Sequence, residues 1–230
     1  MIKQAAARIL AGFQDFFKST WQHKSGRVLL SAAGVLLLVA AGLGIGLYLE
    51  GITAGHNSQA LLGKYEQSAS TAALENTALG SSENSADNNV QTAGFDTPKT
   101  IDGYSVIGTL TLEKTSQTLP VILDYSEKAL KVSVCWYKGA QPGEMGNMVI
   151  TGHDYASGAH FGRLAELTEG DRVTFAAPDR TYVYEVYETE IIRPDQPEKL
   201  DDYQGPTALT LLTCTSHGNR RLVVRCKLTP

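Results

Sequence analysis

Residues 208–228 read ALTLLTCTSHGNRRLVVRCKL. Two runs rich in Leu, Val and Thr flank a polar stretch that contains Gly218. Apolar, β-branched runs bounded by turn residues form strands. Thr215, Ser216, His217 and Gly218 are residues a strand interior would not select, so Cys214 sits where the first strand leaves its sheet. Arg221 opens the second. Upstream lie six more runs of the same texture: YSVIGTLTL (104–112), TLPVILD (118–124), LKVSVCWY (130–137), NMVITG (147–152), RVTFAA (172–177) and TYVYEVYETEII (181–192). Several alternate apolar with polar, and Gln141-Pro142-Gly143, Ala177-Pro178-Asp179 and Gly205-Pro206 punctuate them. Residues 101–230 therefore predict one mainly β domain, a barrel or sandwich of about eight strands, with a short helix at Gly162–Leu167.

Ahead of this domain the chain changes character twice. Residues 28–49, VLLSAAGVLLLVAAGLGIGLYL, carry no charge. At about 1.5 Å per residue they span a ~30 Å hydrocarbon core and exceed the apolar run of a cleaved signal peptide. Residues 1–27 hold five cations (Lys3, Arg8, Lys18, Lys24, Arg27) against Asp15. The positive-inside rule puts that end in the cytosol and everything after Glu50 outside. Ile9, Leu10, Phe13, Phe16, Phe17 and Trp21 are spaced either as an amphipathic helix on the inner membrane face or as parts of a basic tail. Residues 50–100 are rich in Ser, Ala, Asn, Thr and Gly, and read as a flexible spacer with room for a short helix over 59–79. The net charge of −4 over 230 residues argues against a nucleic-acid binder. Three cysteines without CxxC spacing exclude a disulfide scaffold and a zinc site.

Three reactive residues fall at strand ends. Cys214 closes one run, His153 follows NMVITG, and Arg221 begins RLVVRCKL. A thiolate is a strong nucleophile, an imidazole moves a proton near neutral pH, and a guanidinium holds a developing oxyanion. Arg220 is the alternative cation. Adjacent strand residues point to opposite faces, so only one of the two arginines faces Cys214. His217 and His160 are rival bases, each also read as a solvated loop residue. Cys135 and Cys226 sit mid-run, as a disulfide or as two buried thiols.

The combination of these residues resembles the sortases, bacterial cell-surface cysteine transpeptidases. Thr210-Leu211-Leu212-Thr213-Cys214 resembles their TLxTC signature, and Gly146–His153 the approach to their histidine. Phe161-Gly162-Arg163-Leu164, Arg221-Leu222-Val223-Val224 and Leu119-Pro120-Val121 resemble further family segments. The resemblance implies an eight-stranded sortase-type β-barrel after the transmembrane helix and spacer. It implies Cys214 as nucleophile, His153 as proton donor and Arg221 as oxyanion ligand, with Thr213 helping to shape the substrate groove. The implied reaction cleaves an LPxTG-like sorting motif of secreted proteins through a thioacyl-enzyme. The acyl group then passes to an amine of a peptidoglycan precursor or another protein. A thiol peptidase that only hydrolyses and a non-catalytic surface binding module are the competing readings.

Pilin-polymerising sortases carry an Asp-Pro lid and often a second membrane helix. The stretch GFDTPKT (94–100) has no Asp-Pro pair and the sequence stops at Pro230, which disfavours that class. No cofactor is expected. Glu144, Glu198, Asp201 and Asp202 offer a weakly supported calcium alternative to a solvated acidic loop. The loop 193–206 is expected to border the groove.

Overall fold

The computed structural model describes residues 24–78, 98–215 and 218–229. The basic N-terminal segment, most of the GFDTPKT stretch and His217 lie outside the described residues.

Nine strands follow a long helix, α1 (Lys24–Ala78). They are β1 (Lys99–Ile101), β2 (Tyr104–Leu112), β3 (Gln117–Ile122), β4 (Val134–Gly139) and β5 (Gly146–Gly152), then β6 (Arg172–Ala176), β7 (Thr181–Ile192), β8 (Thr207–Thr215) and β9 (Arg220–Leu228). The sheet runs β2-β3-β4-β5-β8-β9-β7-β6, and β6 pairs back onto β2. Eight strands thus close a barrel, as the sequence predicts, and the three-residue β1 adds to one end of β2. Two pairs are parallel, β3 with β4 and β5 with β8. Both need crossovers, which a four-residue helix α2 (Glu127–Leu130) and the long excursion after β5 supply. The Ser126 hydroxyl accepts the Ala129 N–H at 3.1 Å and caps α2. The helix predicted at Gly162–Leu167 is a single 3₁₀ turn, Leu164–Glu166.

Alternate residues of each strand fill the barrel. Leu110, Leu112, Met148, Ile150, Phe175, Leu209, Leu211 and Val224 form one buried cluster. Burial of each such side chain contributes about 1.5–3 kcal/mol. The outward residues Val149, Leu212 and Val223 form a second, thin layer with Ile192 and with Leu200 of the 193–206 loop. That loop therefore lies flat on the outside of β5, β8 and β9. Arg225 is 1% exposed beneath it, bonds Glu188 and Glu190 at 2.9 and 2.8 Å, and donates to the Lys199 carbonyl at 2.8 Å. Asn147 donates to the Leu200 carbonyl at 2.8 Å.

The helix expected over 59–79 is present as the end of α1, which reaches Ala78, and residues 50–58, expected as spacer, belong to the same helix. Gly51, Ala54, Ser58, Leu61, Leu62 and Tyr65 are buried. Leu61 and Tyr65 join Val106, Ile122, Leu130 and Cys135 in a further apolar cluster. Residues 54, 58, 61 and 65 recur at helical spacing, so one face of α1 is stitched to the barrel while the other stays in water. The apolar portion of α1 looks different. Val35, Leu36, Leu37 and Leu38 are 60–75% exposed, and Gly34–Thr71 contains an 18-residue window of mean hydropathy 2.1. Such a helix is long and apolar enough to cross a membrane.

Candidate active site

The site begins with register. In β8, Leu209 and Leu211 point into the core, so Leu212 and Cys214 fall alternately outside and Thr213 inside. Antiparallel pairing sets Cys214 opposite Arg221, and Thr215 opposite Arg220. Directly paired residues share a face, which selects Arg221 over its neighbour as the cation beside the thiol. On the other side, parallel pairing sets Thr213 beside Gly152. The next residues along those strands are Cys214 and His153. Strands lie about 4.8 Å apart, so thiol and imidazole emerge at the same end of adjacent strands. Sequence-distant Cys214, His153 and Arg221 thus occupy one rim.

Local chemistry holds this arrangement. Thr213 is 2% exposed and donates its hydroxyl to the Gly152 carbonyl at 2.7 Å. It is a cross-strand tether between β8 and β5. Gly152 is required there: a Cβ would lie 2.7 Å from Val134 Cγ1 and 2.9 Å from Phe161 Cδ2. The loop after β5 closes on itself, with the Phe161 N–H bonded to the His153 carbonyl at 3.0 Å and Asp154 bridged to His160. Arg221 folds back over the turn, donating to the carbonyls of Gly218 (2.9 Å) and Arg220 (3.2 Å).

Cys214 is partly exposed, whereas Cys135 and Cys226 are buried. All three are free thiols, and Cys135 and Cys226 occupy separate core clusters. Burial pushes the Cys135 thiol up to about 12 and raises that of Cys226 as well. Neither yields a thiolate near neutral pH, which leaves Cys214 as the accessible thiol of the three.

His160 departs from the solvated loop residue expected. It is 1% exposed, in a left-handed backbone conformation (φ +50°), with Nε2 donating to the Ala54 carbonyl at 3.3 Å. Burial drives its pKa down to about 4, with the nearby His153 adding to the effect. It is therefore a neutral structural histidine. Two residues that sequence reasoning passed over stand on the rim. Tyr125 and Tyr137 are 47% and 42% exposed and meet edge to face at 5.3 Å. Burial, then Glu127, raises the Tyr125 hydroxyl pKa, and Tyr137, Cys135 and Cys214 add smaller electrostatic contributions. The signal was an aromatic residue in the turn after TLPVILD.

The acidic residues offered for calcium are otherwise engaged or apart. Asp201 pairs with Lys138 at 2.8 Å and Asp202 with Lys199 at 3.1 Å, while Glu144 accepts the Gln141 N–H. Among the described residues no group of three or more His, Cys, Asp or Glu side chains is placed to hold a metal ion.

A sortase domain model matches residues 110–229, slightly more than half of the chain. The chain belongs to the sortase family. Sortase A of Bacillus anthracis is 31% identical over 127 residues, which cover 54% of this chain and 60% of that protein. Among solved structures, sortase C1 from Streptococcus agalactiae superposes with a TM-score of 0.52 at 29% identity, covering 56% of this chain and 70% of that one. Sortase A from Corynebacterium diphtheriae gives 0.51 at 26% identity, over 55% and 62%. These matches place the eight-stranded sortase barrel in this chain, which spans about three-fifths of the length of the named sortase A relatives.

Proposed function

We propose that this sortase is a membrane-anchored cysteine transpeptidase, with residues 28–49 of α1 as the anchor, residues 1–27 cytosolic and the barrel outside the bacterial cell membrane. The observation that carries the reading is the register that puts a groove-facing thiol opposite Arg221 and beside the strand end bearing His153. The Cys214 sulfur attacks the carbonyl carbon of the threonine in an LPxTG-like sorting motif. Arg221 turns from the Gly218 carbonyl to the oxyanion, where its fixed charge stabilises the tetrahedral species. The C–N bond breaks, His153 gives a proton to the departing amine, and a thioester remains on Cys214. An amine of the peptidoglycan precursor or of another protein then attacks the thioester. His153 takes its proton, and the thiolate leaves as the new amide forms. The nucleophile, the acid and base, and the oxyanion ligand of this cycle are Cys214, His153 and Arg221; the motif and the acceptor amine come from the two substrates. Thr213 holds the two strand ends in step beneath the groove. The exposed rings of Tyr125 and Tyr137, and the start of the 193–206 loop, border the sorting motif.

The test is a reaction of the full-length protein in detergent micelles with a fluorogenic sorting-motif peptide and an amine acceptor. Ligated product that disappears in Cys214→Ala supports the transpeptidase. Cleaved product alone identifies a hydrolase. Peptide binding that survives Cys214→Ala, without turnover in either protein, identifies a binding module.

A further inference from the structure

Residues 51–58 of α1 sit directly on the loop that carries His153. At Gly51 a Cβ would lie 2.4 Å from Ser157 Oγ and 3.1 Å from Tyr155 Cβ, so only glycine lets the helix come this close. One turn on, Ala54 is 3% exposed and its carbonyl accepts the His160 Nε2–H at 3.3 Å. A turn further, the Ser58 and Ser133 hydroxyls meet at 3.1 Å, and Ser133 donates to the Pro120 carbonyl at 2.6 Å. Within the loop the Tyr155 ring stands between two imidazoles. Its centroid is 5.3 Å from that of His153 and 5.2 Å from that of His160, both edge to face.

We infer that the 51–58 turns of α1 are a positioning element for His153, acting through Tyr155 and His160. The inference rests on the reading of His153 as the acid and base of the reaction. A connecting loop is mobile unless something holds it, and proton transfer demands hydrogen-bond geometry at the reacting atoms. Here the helix presses Ser157 and Tyr155 from above, and the Ala54 carbonyl fixes the far end of the loop at His160. The Ala54 carbonyl can only accept, so the buried, neutral His160 ring carries its proton on Nε2. Tyr155 transmits that placement to the His153 ring without touching substrate, which makes it a positioning residue. The segment that looked like a tether is thus part of the catalytic apparatus. Its sequence is chosen for small residues because the approach is close.

The experiment uses the full chain in micelles and three substitutions. Gly51→Leu wedges the helix off the loop. Tyr155→Leu removes the ring, and Tyr155→Phe restores it without the hydroxyl. Leu61→Ala is the control, weakening the same helix at its contact with the other apolar cluster. The first readout is the chemical shifts of the His153 ring protons, followed by NMR of ring-labelled histidine at fixed pH and independent of turnover. Gly51→Leu and Tyr155→Leu are expected to move these resonances, because the Tyr155 ring no longer stands edge to face with the His153 ring. The second is turnover: kcat falls about tenfold or more, with KM little changed, when a reacting group is misplaced. Tyr155→Phe recovers both readouts, and Leu61→Ala lowers the melting temperature without moving either. Unmoved His153 ring resonances in Gly51→Leu overturn the inference, as does an equal change in Leu61→Ala. Loss of the family reading has a different signature, turnover in Cys214→Ala equal to that of the parent.

Discussion

Acidification should weaken this protein through one imidazole. His160 is 1% exposed between α1 and the barrel, and burial lowers its pKa from the ordinary 6.5 to about 4. The folded state therefore binds fewer protons than the unfolded chain between those two values. Stability contributed by the neutral ring is complete above about pH 6.5 and is lost as pH falls toward about 4. At about 1.36 kcal/mol per pKa unit, that gap is worth about 3 kcal/mol. Asp154, whose carboxyl pKa burial raises, contributes with the opposite slope. It is common to parent and variant and cancels in their difference. The perturbation is His160→Gln, which keeps an N–H donor for the Ala54 carbonyl and cannot titrate. Urea unfolding of both full-length proteins in micelles, followed by near-UV circular dichroism from pH 8 to pH 4.5, gives the difference curve. The parent should lose about 2–3 kcal/mol relative to the variant across that range. Hydrogen exchange at residues 51–58 should speed up with the same pH dependence. Parallel curves, with a difference that ignores pH, would show that the imidazole is hydrated and would refute its burial under α1.

Three further outcomes follow from the same geometry. Iodoacetamide should modify Cys214 alone in the native protein at pH 8, and Cys135 and Cys226 only after denaturation, as peptide mass spectrometry will show; native labelling of Cys226 would contradict its burial. Thr213→Val should cost about 1–2 kcal/mol by stranding the Gly152 carbonyl, with kcat reduced, whereas Thr213→Ser should restore both stability and rate. Arg225→Met should destabilise by about 2 kcal/mol, less than the loss of a fully buried partner, because Glu188 and Glu190 remain partly hydrated; it should also raise KM for sorting-motif peptides and increase proteolysis within 193–206, and unchanged proteolysis would mean that the loop is held by Leu200 alone.

What could be read from the residues was whatever announces itself by local pattern. Strand runs of β-branched and apolar residues between Gly and Pro turns marked all eight barrel strands, because alternation along a strand is a property of consecutive residues. The Cys214, His153 and Arg221 rim was legible for a related reason. Each is a reactive residue at the end of an apolar run, where a side chain leaves the packed interior. Strand alternation lets only one of Arg220 and Arg221 share a face with Cys214; the choice of Arg221 comes from its match to the family segment Arg221-Leu222-Val223-Val224, and the register pairs it with Cys214. Tyr125 and Tyr137 escaped because they lie far from the triad in sequence and meet only when β3 and β4 are laid side by side.

That residues 50–58 are helix too, and not only the expected stretch from 59, has a more instructive cause. Gly51, Ala54 and Ser58 bury as surely as leucines, yet on any hydropathy count they look like spacer. Low bulk signals disorder only when nothing else lies close enough to exploit it. A helix that must approach a second surface to within backbone contact uses the same small residues, as close helix packing does wherever it occurs. Periodicity separates the two cases. Spacer composition carries no phase, whereas buried positions at 51, 54, 58, 61 and 65 keep to one helical face. The same reasoning places His160: flanked by Ser157, Gly158 and Ala159, it reads as an exposed loop histidine, but those small neighbours are what allow α1 to cover it. Small-residue stripes beside reactive histidines therefore mark a contact to be tested, and in this chain the contact is the one that fixes where His153 stands.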